Sequence, residues 1–121
     1  MKKIIFTDKA PAPIGPYNQA VLAGNTLYTS GQIALNPSTM ELVLDTIEIE
    51  TSQVMNNMKA VLEAADMDFS NVVKSTIFIA DMNDFSKINT VYASYFDEKT
   101  APARETVQVA KLPRNVNIEI S

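Results

Sequence analysis

The chain has 121 residues, 46% hydrophobic and 20% charged, with a formal net charge of -4; this is the size and balance of one ordinary globular domain spanning residues 1–121. It contains no cysteine and no histidine, which removes disulfides, thiolate nucleophiles, the usual zinc sites and Ser/His/Asp or Cys/His catalysis. Chemistry is left to Arg, Lys, carboxylates, hydroxyls, amides and water, and no cofactor is implied.

The acidic balance argues against nonspecific nucleic-acid binding, which depends on neutralising phosphates. The apolar runs are too short to span a bilayer. Lys2 and Lys3 precede only Ile4, Ile5 and Phe6 before Thr7 and Asp8, so no signal-peptide apolar region follows them and a cytoplasmic location is expected.

Val21 to Ala23, then Gly24-Asn25, then Thr26 to Ser30 has the form of two strands around a two-residue turn whose glycine can take positive φ. Asn36-Pro37-Ser38-Thr39 is turn chemistry ahead of a short apolar stretch from Leu42 to Leu44. Val54, Met58, Val61, Leu62 and Ala65 fall at helical spacing, and Asp45 followed by Glu48 resembles a carboxylate capping box for that helix.

Val72 to Ile79 is dense in β-branched and aromatic residues and predicts a well-buried strand. Asp81 or Asn83 can cap a second helix, along which Phe85, Ile88, Val91, Tyr92, Tyr95 and Phe96 recur as a core-facing stripe. After Pro102 an alternating strand puts Arg104, Thr106 and Gln108 on one face and Val107 and Val109 on the other, expected to be the core side. The turn Leu112 to Asn115 leads to a last strand in which Val116, Ile118 and Ile120 alternate with Asn117, Glu119 and Ser121. Strands, helix, strand, helix, strands is the order of an α+β sandwich with two helices on one face of a mixed or largely antiparallel sheet. Polar alternation on the last strands, together with Val72 and Phe78, points to a second face met by water or a partner subunit.

Arg104 carries the chemistry. A guanidinium stays charged at any working pH and its planar fork matches a carboxylate, so a small anionic substrate is the first expectation. Beside Glu105, the same residue also has the pattern of a surface ion pair. A hairpin of the last two strands would bring Arg104, Thr106 and Gln108 against Asn117, Glu119 and Ser121, joining anion binder and acid.

Ile14-Gly15-Pro16-Tyr17, Tyr28-Thr29-Ser30-Gly31-Gln32-Ile33, and Pro102-Ala103-Arg104 with Val109-Ala110-Lys111-Leu112-Pro113 together resemble the RidA/YjgF family of enamine/imine deaminases. Asn36-Pro37 and Ala80 to Phe85 extend the resemblance over essentially the whole chain. It implies a homotrimer of chorismate-mutase-like subunits with a small site at each subunit interface. It also implies that Arg104 grips a substrate carboxylate and Glu119 places the attacking water, with Tyr17, Ser30, Asn89 and Thr106 lining the site.

The chain departs from the family pattern in several places. Thr106 stands where many members have Cys or another small residue, Glu105 where a small residue is usual, Ala101 where some carry an aromatic, and Met40 at a usual turn glycine. The chain ends at Ser121, ahead of where the family's final strand customarily ends.

The expected activity is hydrolysis of 2-imino or enamine acids, such as 2-iminobutanoate and 2-iminopropanoate, to 2-oxo acids and ammonia, a metabolite-damage-control reaction without a metal. Two alternatives stand beside it. One is a noncatalytic regulatory protein binding small carboxylates; the other is an RNA-acting translation inhibitor, against which the charge balance and missing histidine count.

Overall fold

A computed structural model describes every residue from Met1 to Ser121. Six strands and two α-helices run in the order β1 (Lys2–Ile5), β2 (Ala20–Ala23), β3 (Thr26–Thr29), α1 (Ile47–Ala64), β4 (Lys74–Ile79), α2 (Phe85–Ala93), β5 (Ala103–Gln108) and β6 (Ile118–Ile120). The fold is α+β, as expected. Neither helix is long and apolar enough to cross a membrane.

The turn Gly24-Asn25 closes the expected β2–β3 hairpin with Gly24 at φ 61°, and Ala23 pairs with Thr26. β1, which the sequence did not announce, adds antiparallel to β2 and completes one three-stranded sheet. The second sheet has the order β5-β4-β6. Past β3 the chain reaches it directly: Gln32 and Ile120 exchange backbone hydrogen bonds of 2.8 and 3.1 Å.

The expected β5–β6 hairpin does not form. β5 runs parallel to β4 on one side and β6 antiparallel on the other. β4 is buried at every second residue, Ser75, Ile77 and Ile79, and takes the centre, where both its edges are paired. β5, with Arg104, Glu105 and Gln108, takes the edge, where charged side chains keep water.

α1 starts one residue later than expected. Its cap is Thr46, whose hydroxyl accepts from the Ile49 N–H at 3.1 Å, in place of the Asp45–Glu48 box. Asp81 caps a 3-10 turn over Met82–Asp84 that leads into α2. Val54, Met55, Ile77, Ile79, Ile88, Tyr92 and Ile118 form the core between the helices and the second sheet, each large apolar side chain contributing about 1.5–3 kcal/mol on burial. Val61, on the same helix α1, forms a second, smaller cluster with Ile5 and Ala20 of the first sheet. Met40 has φ 59°, the left-handed conformation that glycine adopts without strain.

Candidate active site

Registered partners in adjacent strands share a face. Ser75 pairs with Arg104, and the Ser75 hydroxyl accepts from the Tyr92 hydroxyl of α2 at 2.9 Å. Arg104 and Thr106 therefore lie on the helix face. This corrects the expectation that Val107 marks the core side of β5: Val107 is 40% exposed on the face away from the helices, along with its partner Phe78.

Helix α2 holds Arg104 in place. Its Nη1 donates to Asn89 Oδ1 at 2.7 Å, and the guanidinium carbon lies 5.1 Å from the centroid of the Tyr92 ring and 5.5 Å from that of Phe85. Cation–π contacts of that kind contribute about 0.5–1 kcal/mol at an exposed site. Burial pushes the Tyr92 phenol up, so the ring stays neutral beside the cation. The stripe on α2 thus does two jobs: Ile88 fills the core while Phe85 and Tyr92 also floor the arginine.

Arg104 makes no ion pair with Glu105. Glu105 turns to the other face and pairs with Lys74 at 2.9 Å, an exposed pair of the kind worth about 0–1 kcal/mol. Arg104 is left as an exposed cation, oriented by a neutral amide and open to an anion. Asn89 and Thr106 stand with it on this first wall.

Glu119 is elsewhere. Its partner is Phe78, so it leaves the sheet on the face opposite Arg104, with β4 between their strands. There it lines a cavity of about 570 Å³ with Tyr17, Ser30, Gly31, Gln32 and Arg114. The residues expected at the site thus divide between two walls of one chain, Arg104, Asn89 and Thr106 on one, Glu119, Tyr17 and Ser30 on the other.

Tyr17 is half exposed, its hydroxyl accepting from the Ile14 N–H at 3.2 Å. The Ser30 hydroxyl donates to the Asn18 carbonyl. Behind them the buried Gln19 amide donates to the carbonyls of Thr7, Ala10 and Pro11 and ties that loop to the wall.

Glu119 packs so closely on Gly31 that a Cβ there would stand 2.2 Å from Oε2 and 2.8 Å from Cδ. Burial raises the Glu119 carboxyl above the ordinary glutamate value, because a less hydrated site disfavours the charged form. A carboxyl raised in this way holds a proton more readily than an exposed glutamate, which suits a group that accepts and returns one. Gly31 was not singled out as a site residue in the sequence; the signal was a glycine outside any turn, where close approach is the usual reason for one.

The family model described as Endoribonuclease L-PSP matches residues 7–121. A RutC family protein of Synechocystis sp. is 53% identical over 119 residues, 98% of this chain and 92% of that protein. The 2-iminobutanoate/2-iminopropanoate deaminase of Homo sapiens is 48% identical over 120 residues, covering 99% of this chain and 87% of the relative. Among solved structures, the YjgF gene product of E. coli superposes with a TM-score of 0.91 at 47% identity, over 98% of this chain and 94% of that one. E. coli TdcF with bound serine gives a TM-score of 0.91 at 45% identity, with the same coverage. Matched along nearly its whole length in both sequence and fold, the chain belongs to the RidA/YjgF family.

Proposed function

We propose that the protein hydrolyses 2-imino acids and their enamine tautomers to 2-oxo acids and ammonia, in sites built where the Arg104 wall of one copy meets the Glu119 wall of the next. The observation that carries this reading is the division of the site. An oriented, exposed guanidinium and a carboxyl of raised pKa stand on opposite faces of one sheet, in a chain 48% identical to a 2-iminobutanoate/2-iminopropanoate deaminase. Two different surface patches meeting head to tail generate a ring when the rotation between copies closes; a homotrimer is the ring that the resemblance implies.

In this reading Arg104 takes the substrate carboxylate through charge-assisted hydrogen bonds and fixes the imine carbon. Glu119 orients a water and accepts its proton as oxygen bonds to the carbon of the protonated imine and the C=N π pair moves to nitrogen, neutralising it. Glu119 then returns its proton to the carbinolamine nitrogen. The C–N bond breaks, ammonia leaves with the bonding pair, and the hydroxyl proton passes through the Glu119 carboxylate to the ammonia, which completes the C=O bond of the 2-oxo acid and leaves Glu119 ionised. Water and imine are consumed in equal number, and no oxidant or metal enters. Tyr17 and Ser30 line the water side, while Asn89 and Thr106 line the carboxylate side.

The test is oxo-acid release from 2-iminopropanoate generated in situ. Wild type accelerates release over buffer, and Arg104→Ala lowers kcat/KM roughly 100-fold or more, since a paired charged hydrogen bond is lost. No acceleration by wild type, or an unchanged rate in Arg104→Ala, would refute the reading. The bound serine of E. coli TdcF favours a second reading, a noncatalytic binder of small amino or oxo acids. It predicts calorimetric binding without turnover and normal binding by Glu119→Gln.

A further inference from the structure

Glu50 lies in the first turn of α1 at 0% exposure, and the reaction above gives it no part. A buried carboxylate without a cation is costly unless its oxygens are hydrogen-bonded. Both are, and by a single residue: Oε2 accepts from the Asn117 backbone N–H at 2.8 Å and Oε1 from Asn117 Nδ2 at 2.7 Å. The helix N-terminus adds favourable potential. The Asn117 carbonyl in turn accepts from the Ala80 N–H at 3.0 Å. Backbone and side chain of Asn117 are thus both held, two residues before Glu119.

A second grip lies on the same face of α1, two turns on. Asn57, 1% exposed, donates from Nδ2 to the carbonyls of Ile33 at 3.1 Å and Leu35 at 2.9 Å. Its Oδ1 accepts from Gln53 Nε2 at 2.9 Å. The two segments gripped by α1 are the ones bridged at Gln32 and Ile120. Gly31 and Glu119 sit directly beside that bridge. A leucine at 50 would fill similar volume without burying charge, but it would leave the Asn117 N–H without an acceptor.

We propose that the buried Glu50–Asn117 pair, with Asn57 as its second anchor, is a positioning device that sets the Glu119 carboxyl over Gly31. Its role in turnover rests on the deaminase reading. Its effect on Glu119 geometry does not, and the two are measured separately.

Asn117→Asp sets a second carboxylate against Glu50, and two such groups at hydrogen-bond distance do not both stay ionised without strain. In that variant kcat for 2-iminopropanoate falls roughly 10- to 100-fold, the scale of a misplaced catalytic group, with KM within about twofold. The double variant Glu50→Gln with Asn117→Asp restores the pair with its polarity reversed. The introduced amide nitrogen donates to the introduced carboxylate, and the amide oxygen still accepts the backbone N–H at 117; kcat returns to within about threefold of wild type.

Carbon-detected NMR titration of the Glu119 carboxyl gives a readout without turnover. Its midpoint lies above the ordinary glutamate range in wild type, drops toward it in Asn117→Asp, and returns in the double variant. If Asn117→Asp does not fold, Asn117→Ala removes only the Nδ2 bond and shows the same split in milder form, roughly threefold to tenfold in kcat. A single variant that leaves both kcat and the Glu119 midpoint at wild-type values overturns the proposal, as does a double variant no better than the Asn117→Asp single. If wild type hydrolyses no imine, the deaminase reading fails and the titration alone decides on the positioning device.

Discussion

The two walls keep their charged groups in opposite ways. Arg104 stays in water, steadied by the neutral Asn89 amide and two ring faces. Glu119 is drawn partly out of water against the bare Cα of Gly31. An anion binder must meet its ligand with the charge intact and unpaired, so a carboxylate partner would compete with substrate. A proton-transfer group gains from partial desolvation, which moves its pKa toward working pH. The contrast accounts for the arrangement of Glu105 as well: it spends its charge on Lys74, on the other face.

In the proposed reaction Glu119 carries the proton, and the largest expected effect comes from removing it. Glu119→Gln lowers kcat roughly 100- to 10,000-fold and leaves carboxylate binding through Arg104 intact, as calorimetry with pyruvate would check. In wild type, kcat falls as pH drops through the raised Glu119 pKa, because the base must be ionised. The stability effect has the opposite sense. A carboxyl whose folded pKa is raised holds its proton more tightly in the folded state, so its ionisation weakens the fold as pH rises through the interval between the unfolded and folded values. Thermal melts should therefore show Glu119→Gln above wild type at neutral pH, with the difference vanishing below the ordinary glutamate range. A Glu119→Gln protein that turns over normally would erase the distinction between the walls.

Gly31→Ala sharpens the comparison by pushing on Glu119 alone. The added methyl meets the far end of a flexible side chain, so the carboxyl swings aside and the backbone stays. We expect kcat to fall roughly 10- to 100-fold and the melting temperature by no more than about 5 °C. The smallest effect is a control away from both walls. Met40→Gly relieves a left-handed residue and stabilises by about 0.5–1 kcal/mol after glycine's own entropy cost, raising the melting temperature with kcat and KM unchanged.

The helices and the β2–β3 hairpin were legible because their signals are local: helical spacing from Val54 to Ala65 and from Phe85 to Phe96, and Gly24 in a two-residue turn. β1 was not, since Lys2 to Ile5 is too short to alternate clearly and becomes a strand only by pairing with β2. The β5–β6 hairpin misled for a related reason. Leu112 to Asn115 carries true turn chemistry, with Arg114 at φ 55° and Asn115 at φ 58°, yet a turn sets only the local chain direction. Pairing went to β4, whose buried Ser75, Ile77 and Ile79 face suits the centre.

By itself the sequence determined the α+β content, the absence of thiol and imidazole chemistry, and the family, because composition, periodicity and strand alternation act at short range. Tertiary structure alone decided that Arg104 and Glu119 stand on opposite faces of one sheet, that Gly31 makes room for the carboxyl, and that Glu50 reaches Asn117 across the core. Each of these depends on which strand lies beside which. That is settled by the competition of whole faces for burial, which no short stretch of sequence records.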